Sequence, residues 1–177
     1  ALLTGGELLA LLESQVFRLE TLFQNDTKQL LQDMIVAAIG VKRDVVQRDP
    51  YETGLRATLN LGHTFAHAIE RVSEYQISHG YAVAMGLVCA ARLSAKLGYC
   101  PSSLQEYTEH LLQKFFLPVR IPHNLTAREL LDAMSSDKKK KAGKLRFVLM
   151  RDVGDAFVAA AIPSDPVLQT IQELITP

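Results

Sequence analysis

His63 and His67 stand four residues apart in Arg56-Ala-Thr-Leu-Asn60-Leu-Gly-His63-Thr-Phe-Ala-His67-Ala-Ile-Glu70, and a third histidine follows in Ser78-His79-Gly80. Imidazoles at this spacing on a helix share one face at roughly 6 Å. Asn60 and Glu70 lie about one turn to either side, and Arg56 joins the stripe if the helix or its lead-in turn reaches back that far. Leu59, Phe65, Ala66, Ala68 and Ile69 fill the flanks. A polar seam between apolar walls is costly to bury unless its members pair, bind a ligand or hold a metal. Two histidines from adjacent helices are a start for a zinc site, which needs at least one more protein ligand and, if catalytic, an open position for substrate. A histidine pair alone is commonly a hydrogen-bonded surface pair; with Arg56, Asn60, Glu70 and His79 beside it, the group reads as a metal and substrate site. Gly62 and Gly80, each next to a histidine, fit close backbone approach.

Helices must position these groups. Apolar periodicity predicts a short helix near Gly6 to Glu13 and a long one from about Thr27 to Arg48, with Leu30, Leu31, Met34, Ile35, Ala38 and Val41 on its apolar positions and Pro50 as its stop. The histidine-bearing helix comes next. A further helix runs from about His79 to Leu97, with Ser78 as N-cap, Gly98 at its end and small residues (Ala82, Ala84, Gly86, Ala90, Ala91) suited to a buried, closely packed position. Two more helices are expected near Ser102 to Phe116 and Ala127 to Met134, then two short strands at Leu145 to Leu149 and Ala156 to Ala160, and a last helix from Pro163-Ser164 to about Ile175. The fold class is therefore mainly α, with a small two-stranded β element near 145–160, and residues 1–177 read as a single helical domain.

Other charged groups fall near the seam. Lys42, Asp49 and Glu52 cluster where the long helix ends, so that a cation and two carboxylates can face the histidines, although charges at a helix end are by themselves usually solvated. The run Asp137-Lys138-Lys139-Lys140-Lys141-Ala-Gly143-Lys144 is a solvated loop or the anion-binding lip of a site. Arg120 to His123 reads as a connecting loop, and His110 and His123 have no assigned role.

The 19 basic and 19 acidic residues cancel, which removes any global attraction to nucleic acid or to an anionic membrane. Hydrophobic residues make up 48% of the 177, ample for a core. Cys89 and Cys100 are too few for a disulfide framework and favour a reducing, cytoplasmic setting. The apolar run from Ala82 to Ala91 is too short to span a bilayer. The start on Ala1-Leu2-Leu3, without Met, points to a piece of something longer.

The stretch from Lys42 through Asp49, Glu52, Arg56, Asn60, His63 and His67 to Glu70 resembles the signature of 3-dehydroquinate synthases. So do Ser78-His79-Gly80-Tyr81-Ala-Val-Ala-Met-Gly86, and Asp137-Lys138-Lys139 leading to Leu145-Arg-Phe-Val-Leu149. The resemblance implies the helical C-terminal domain of a dehydroquinate synthase-like fold, without the N-terminal α/β domain that binds NAD. It implies that His63 and His79 ligate a divalent metal, Zn2+ or Co2+, and that the third ligand is a Glu at or before Ala1. It assigns catalytic positions to His67, Lys42, Arg56 and Asn60, and substrate contacts to Glu52 and to Lys138 or Lys139. The implied reaction is NAD- and metal-dependent conversion of 3-deoxy-arabino-heptulosonate 7-phosphate to 3-dehydroquinate with loss of phosphate, a step of aromatic amino acid biosynthesis. The implied ligand is a phosphorylated sugar acid, with no nucleic acid or membrane partner, and the implied full-length assembly is a homodimer. The isolated 177 residues are then expected to be inactive.

Two positions depart from the family pattern: Tyr81 replaces a Glu after His79-Gly80, and Ala66 replaces a Gly. The first removes a carboxylate near a metal ligand and bears on substrate choice; the second is a small change on a helix flank. Other sugar-phosphate cyclases, iron-type alcohol dehydrogenases and a non-catalytic helical fragment are the alternative readings. The Arg56-to-Asn60 lead-in and the lysine loop argue against the dehydrogenases.

Overall fold

A computed structural model describes residues 1–15, 28–52, 54–136 and 145–176. Seven α-helices, a 3₁₀ helix and one hairpin are seen among them: α1 (Gly6–Gln15), α2 (Lys28–Arg48), the 3₁₀ helix Leu55–Asn60, α3 (His63–Val72), α4 (His79–Lys96), α5 (Ser102–Lys114), α6 (Ala127–Ser136), β1 (Leu145–Asp152), β2 (Asp155–Ile162) and α7 (Ser164–Leu174). The expected mainly helical class with a small β element is what is found.

Helix α4 is the centre. Ala82, Ala84, Met85, Gly86, Val88, Cys89, Ala90, Ala91 and Leu93 are all buried, and the small volumes of the alanines and Gly86 let α3, α5, α7 and β1 pack against one helix. The closest approach is backbone to backbone. A Cβ on Gly62 would lie 2.7 Å from the Leu87 nitrogen and 2.8 Å from the Gly86 carbonyl carbon, and a Cβ on Gly86 would overlap the Gly62 carbonyl oxygen. Gly62 also sits at φ +78°, in the left-handed region that favours glycine. No such crowding exists at Gly80, where an added Cβ meets nothing within 4 Å, so the expected close approach holds for Gly62 and not for Gly80.

Apolar side chains complete the core around this crossing. Phe65 of α3 stacks on Phe147 of β1 with ring centroids 5.0 Å apart. Ala66, expected on a helix flank, is fully buried, with its backbone nitrogen near Gly86. The buried Ser94 hydroxyl donates to the Ala90 carbonyl and accepts from the Met150 amide at 3.1 Å, which satisfies a polar group and ties α4 to β1. The hairpin is antiparallel, pairing Leu145 with Ile162 and Leu149 with Phe157, and its turn residue Gly154 donates to the Leu2 carbonyl at 2.9 Å. The loop read around Arg120 is also anchored, because Ile121 and Ile175 form a parallel bridge.

Helix ends follow local chemistry, with one departure. Thr126 and Glu129 form a reciprocal capping box before α6. Ser78 occupies the N-cap of α4 in an extended conformation, but its side chain makes no capping bond. The start of α4 is held instead through the Ser78 carbonyl, which accepts from the Ala82 amide at 3.0 Å. None of the helices seen among the described residues is long and apolar enough to cross a membrane.

Glu173 of α7 accepts from Lys96 at 2.7 Å and from Arg92 at 3.2 Å, both on α4. The Lys96 hydrogen bond, with support from Arg92, holds its carboxyl below the usual glutamate range. The folded value lies below the unfolded one, so the stabilisation is present at neutral pH and is lost as the pH falls through the carboxylate range. With Glu173 nearly half exposed, Glu173→Gln is expected to lower stability by less than about 1 kcal/mol at pH 7. The difference should vanish near pH 3, as read by urea titrations at both pH values. Gly86→Ala should cost more, about 2 kcal/mol or above, because backbone must move to admit the methyl. Gly80→Ala should be neutral or slightly stabilising, and thermal melts of the two variants compare them directly.

Candidate functional site

The polar seam is built from two short segments and one helix crossing. The 3₁₀ helix Leu55–Asn60 carries Arg56 and Asn60, the chain reverses through Leu61 and left-handed Gly62, and α3 begins on His63 itself. Asn60 and His63 are therefore not on one continuous helix, as the spacing alone suggested. They still line the same cavities.

The carboxylate of Asp49 shapes this lead-in. It is 6% exposed, and its Oδ2 accepts from the amides of Gly54 and Arg56, each at 2.9 Å. Asp49 is thus a buried loop organiser rather than a solvated charge. The Arg56 guanidinium donates to the Pro50 carbonyl at 3.0 Å, so the arginine is fixed at both its backbone and its head group. Glu52, next to this loop, adopts φ +56° and lines both cavities of the site.

Three imidazoles meet where α3 and α4 cross. Ring centroids are 5.6 Å apart for His63 and His67, 5.5 Å for His63 and His79, and 6.4 Å for His67 and His79. His63 Nδ1 donates to the Leu61 carbonyl at 3.2 Å, and His79 Nδ1 donates to the Glu70 carboxylate at 3.0 Å. Both acceptors are oxygens without a proton, which fixes the proton on Nδ1 and leaves each Nε2 lone pair available in the neutral ring. Partial burial lowers the His63 pKa most; the Leu61 hydrogen bond opposes this, and His67 and His79 lower it further. Neutral His63 is the form a metal requires.

This donor set fits a divalent cation. Two imidazoles on one tetrahedral zinc have ring centres about 5 Å apart, given Zn–N bonds of about 2.0 Å, close to the 5.5 Å between His63 and His79. A histidine ligand backed through its other nitrogen by a carbonyl or carboxylate is the usual supporting arrangement. Among the described residues no three His, Cys, Asp or Glu side chains converge on a single point, so His63 and His79 form a pair and not a finished cage.

Two adjoining cavities open on His63, the second also on His67, while His79 stands behind them and lines neither. One, of about 440 Å³, is lined by Lys42, Glu52, Arg56, Asn60 and His63 among others. The second, of about 870 Å³, shares Glu52, Asn60 and His63 and adds His67, Arg71 and Arg146. The structure thus brings together His63, His67, His79, Lys42, Glu52, Arg56 and Asn60. Lys138 and Lys139 lie outside the described residues. Arg71 and Arg146 were missed in the sequence, although Arg71 continues the His63–His67 spacing by one further turn.

Sequence and structure comparisons bear directly on this arrangement. A family model described as 3-dehydroquinate synthase C-terminal matches residues 1–140. The chain belongs to the 3-dehydroquinate synthase family. A 3-dehydroquinate synthase from Crocosphaera subtropica is 37% identical over 147 residues, covering 82% of this chain and 40% of the relative. The chain thus spans about two-fifths of that relative's length. Among solved structures, the 2-epi-5-epi-valiolone synthase ValA from Streptomyces hygroscopicus subsp. jinggangensis, with NAD+ and Zn2+ bound, superposes with a TM-score of 0.78 at 23% identity, covering 98% of this chain and 48% of that one. A 2-deoxy-scyllo-inosose synthase in complex with carbaglucose-6-phosphate, NAD+ and Co2+ gives 0.72 at 24% identity, covering 84% of this chain and 42% of that one. At such identities the likeness establishes the fold shared with these cyclases.

The Asp49 geometry yields a stability test. Asp49→Ala should cost about 2–3 kcal/mol, since two amides lose a charged acceptor. Asp49→Asn, which keeps one acceptor oxygen, should cost less. Urea midpoints together with amide exchange at Gly54 and Arg56 check this; unchanged exchange in Asp49→Ala would remove the assigned role.

Proposed function

We propose that these residues form the metal- and substrate-binding part of a 3-dehydroquinate synthase, acting on 3-deoxy-arabino-heptulosonate 7-phosphate with release of phosphate. The observation that carries this is the meeting of His63, His67 and His79, with the Nδ1 atoms of His63 and His79 committed to acceptors. The proposal makes His63 and His79 metal ligands, with zinc or cobalt as the ion.

A divalent metal would polarise the hydroxyl being oxidised, and NAD, bound by the rest of the protein, would take up and return hydride. The side chains of this chain do the remaining work. His67, one turn beyond His63, is placed to accept the proton of that hydroxyl and to give it back. Lys42 and Arg56 share a cavity with His63 and can hold a carboxylate or a developing negative charge. The Asp49 carboxylate keeps the Arg56 backbone in place, and the Pro50 carbonyl orients its guanidinium. Asn60 and Glu52, at the junction of the two cavities, can hydrogen-bond ring hydroxyls. Lys138 or Lys139 is proposed to contact the substrate's anionic groups.

A second reading, a related cyclase acting on a different sugar phosphate, rests on Tyr81, which is half-exposed two residues after His79 and stands where the family resemblance leads one to expect Glu. The 37% identity to a dehydroquinate synthase favours the first.

The test uses the full-length protein that contains these residues. Phosphate release from the heptulosonate phosphate should require NAD and a divalent metal, fall to background in His63→Ala and His79→Ala, and drop by about 10²–10⁴-fold in His67→Ala. Glu70→Ala should weaken metal affinity by about 10–100-fold, measured by competition with a chelating dye. Turnover that survives loss of both His63 and His79 would end the reading, and release only from other sugar phosphates would select the second.

A further inference from the structure

Helix α3 ends in a conformation that capping alone does not explain. Its last carbonyls are closed by a Schellman arrangement, in which the Tyr75 amide donates to the Glu70 carbonyl at 2.7 Å and the Glu74 amide to the Arg71 carbonyl at 3.2 Å. That motif needs one left-handed residue, the one just past the C-cap Ser73, and Glu74 supplies it at φ +52°. Tyr75 then follows at φ +61°. A second left-handed residue is no part of the motif, and a side chain with a Cβ disfavours the conformation. Residues held in such regions by the structure around them gather at ligand-binding sites.

Tyr75 lines the larger cavity, of about 870 Å³, together with His63, His67, Asn60 and Glu52. It is also 75% exposed, which puts its ring at the rim, where the cavity meets solvent. The turn that carries it is referenced to the site through one residue. The Glu70 carbonyl accepts from the Tyr75 amide and, at 3.1 Å, from the Ser73 hydroxyl, while the Glu70 carboxylate accepts from His79 Nδ1 at 3.0 Å. On the other side of Tyr75, Ile77 packs against the core. The left-handed turn is therefore held at both ends, and Tyr75 keeps a set position relative to His79. We propose that Tyr75 is a substrate-contacting residue that holds the sugar at the cavity rim. Tyrosine suits this role, because its ring offers a flat apolar face to the C–H groups of a sugar and its hydroxyl both donates to and accepts from a sugar hydroxyl. The assignment rests on the sugar-phosphate reading of the site and adds a residue to it.

The experiment compares the full-length protein with its Tyr75→Phe, Tyr75→Gly and Glu74→Gly variants, by thermal melts and by steady-state phosphate release from the heptulosonate phosphate. Both glycine variants relieve a left-handed backbone, so neither should melt below wild type. Tyr75→Gly should nevertheless raise KM about tenfold or more with little change in kcat, and Tyr75→Phe, which keeps the ring, about three- to tenfold. Glu74→Gly, the control for the backbone change, should stay within twofold. A ring with only a structural role would give the opposite pattern, a lower melting temperature and an unchanged KM. Equal KM in wild type and Tyr75→Gly would overturn the contact and leave the synthase reading standing. If no phosphate is released, calorimetry with the heptulosonate phosphate in the absence of NAD decides. Affinity that falls in Tyr75→Gly but not in Glu74→Gly would uphold the contact while the synthase reading falls, and equal affinity in the two would overturn both.

Discussion

The contact between Gly62 and Gly86 is the constraint on which the site depends. Two backbones meet there with no side chain between them, so the separation of α3 from α4 is set by van der Waals contact of main-chain atoms. His63 follows Gly62 directly, and His79 begins the helix that carries Gly86. A side chain at either glycine would push the two helices apart, and with them the imidazoles. The surrounding core of Phe65, Ile69, Met85 and Val88 then holds the crossing by burial, without deciding its distance.

Around that crossing His63, His79 and Arg56 are each held by a neighbouring group. Leu61 and Glu70 fix which nitrogen of His63 and His79 carries the proton. Asp49 gathers the amides before the 3₁₀ helix, and Pro50 takes one hydrogen bond of Arg56. Thr64 ties the first turn of α3 to β1. Most of these hydrogen bonds are local and one, from Thr64, spans 82 residues, so a polar site can form on helices whose other faces are apolar.

Much of this was legible in the sequence because its signals are periodic or chemically specific. Small residues at Ala82, Ala84, Gly86, Ala90 and Ala91 marked α4 as a central helix, and the β-branched and aromatic runs marked the hairpin. The histidine spacing and the family resemblance marked the site. Helix spacing did not reveal the break at Leu61–Gly62, because a left-handed glycine between two helical turns leaves the apolar pattern on both sides intact. The burial of Asp49 is not legible in the sequence, because a carboxylate near a helix end is by itself usually solvated and its burial depends on amides five and seven residues away. Nor does the sequence place Arg146 at the cavity, since the fold brings it there from 83 positions beyond His63 in the chain.

Glu52 shows a different kind of tension. Its left-handed backbone is one that glycine adopts freely and that costs an ordinary L-residue about 1–2 kcal/mol. A carboxylate nevertheless stands there, on the wall common to both cavities. Replacement by glycine would relieve the backbone and at the same time remove the only acidic side chain facing both spaces among the described residues. Selection for thermal robustness and selection for the site therefore pull in opposite directions at this position. A search for hardier variants of the protein would thus be drawn to a residue for which a substrate contact is proposed.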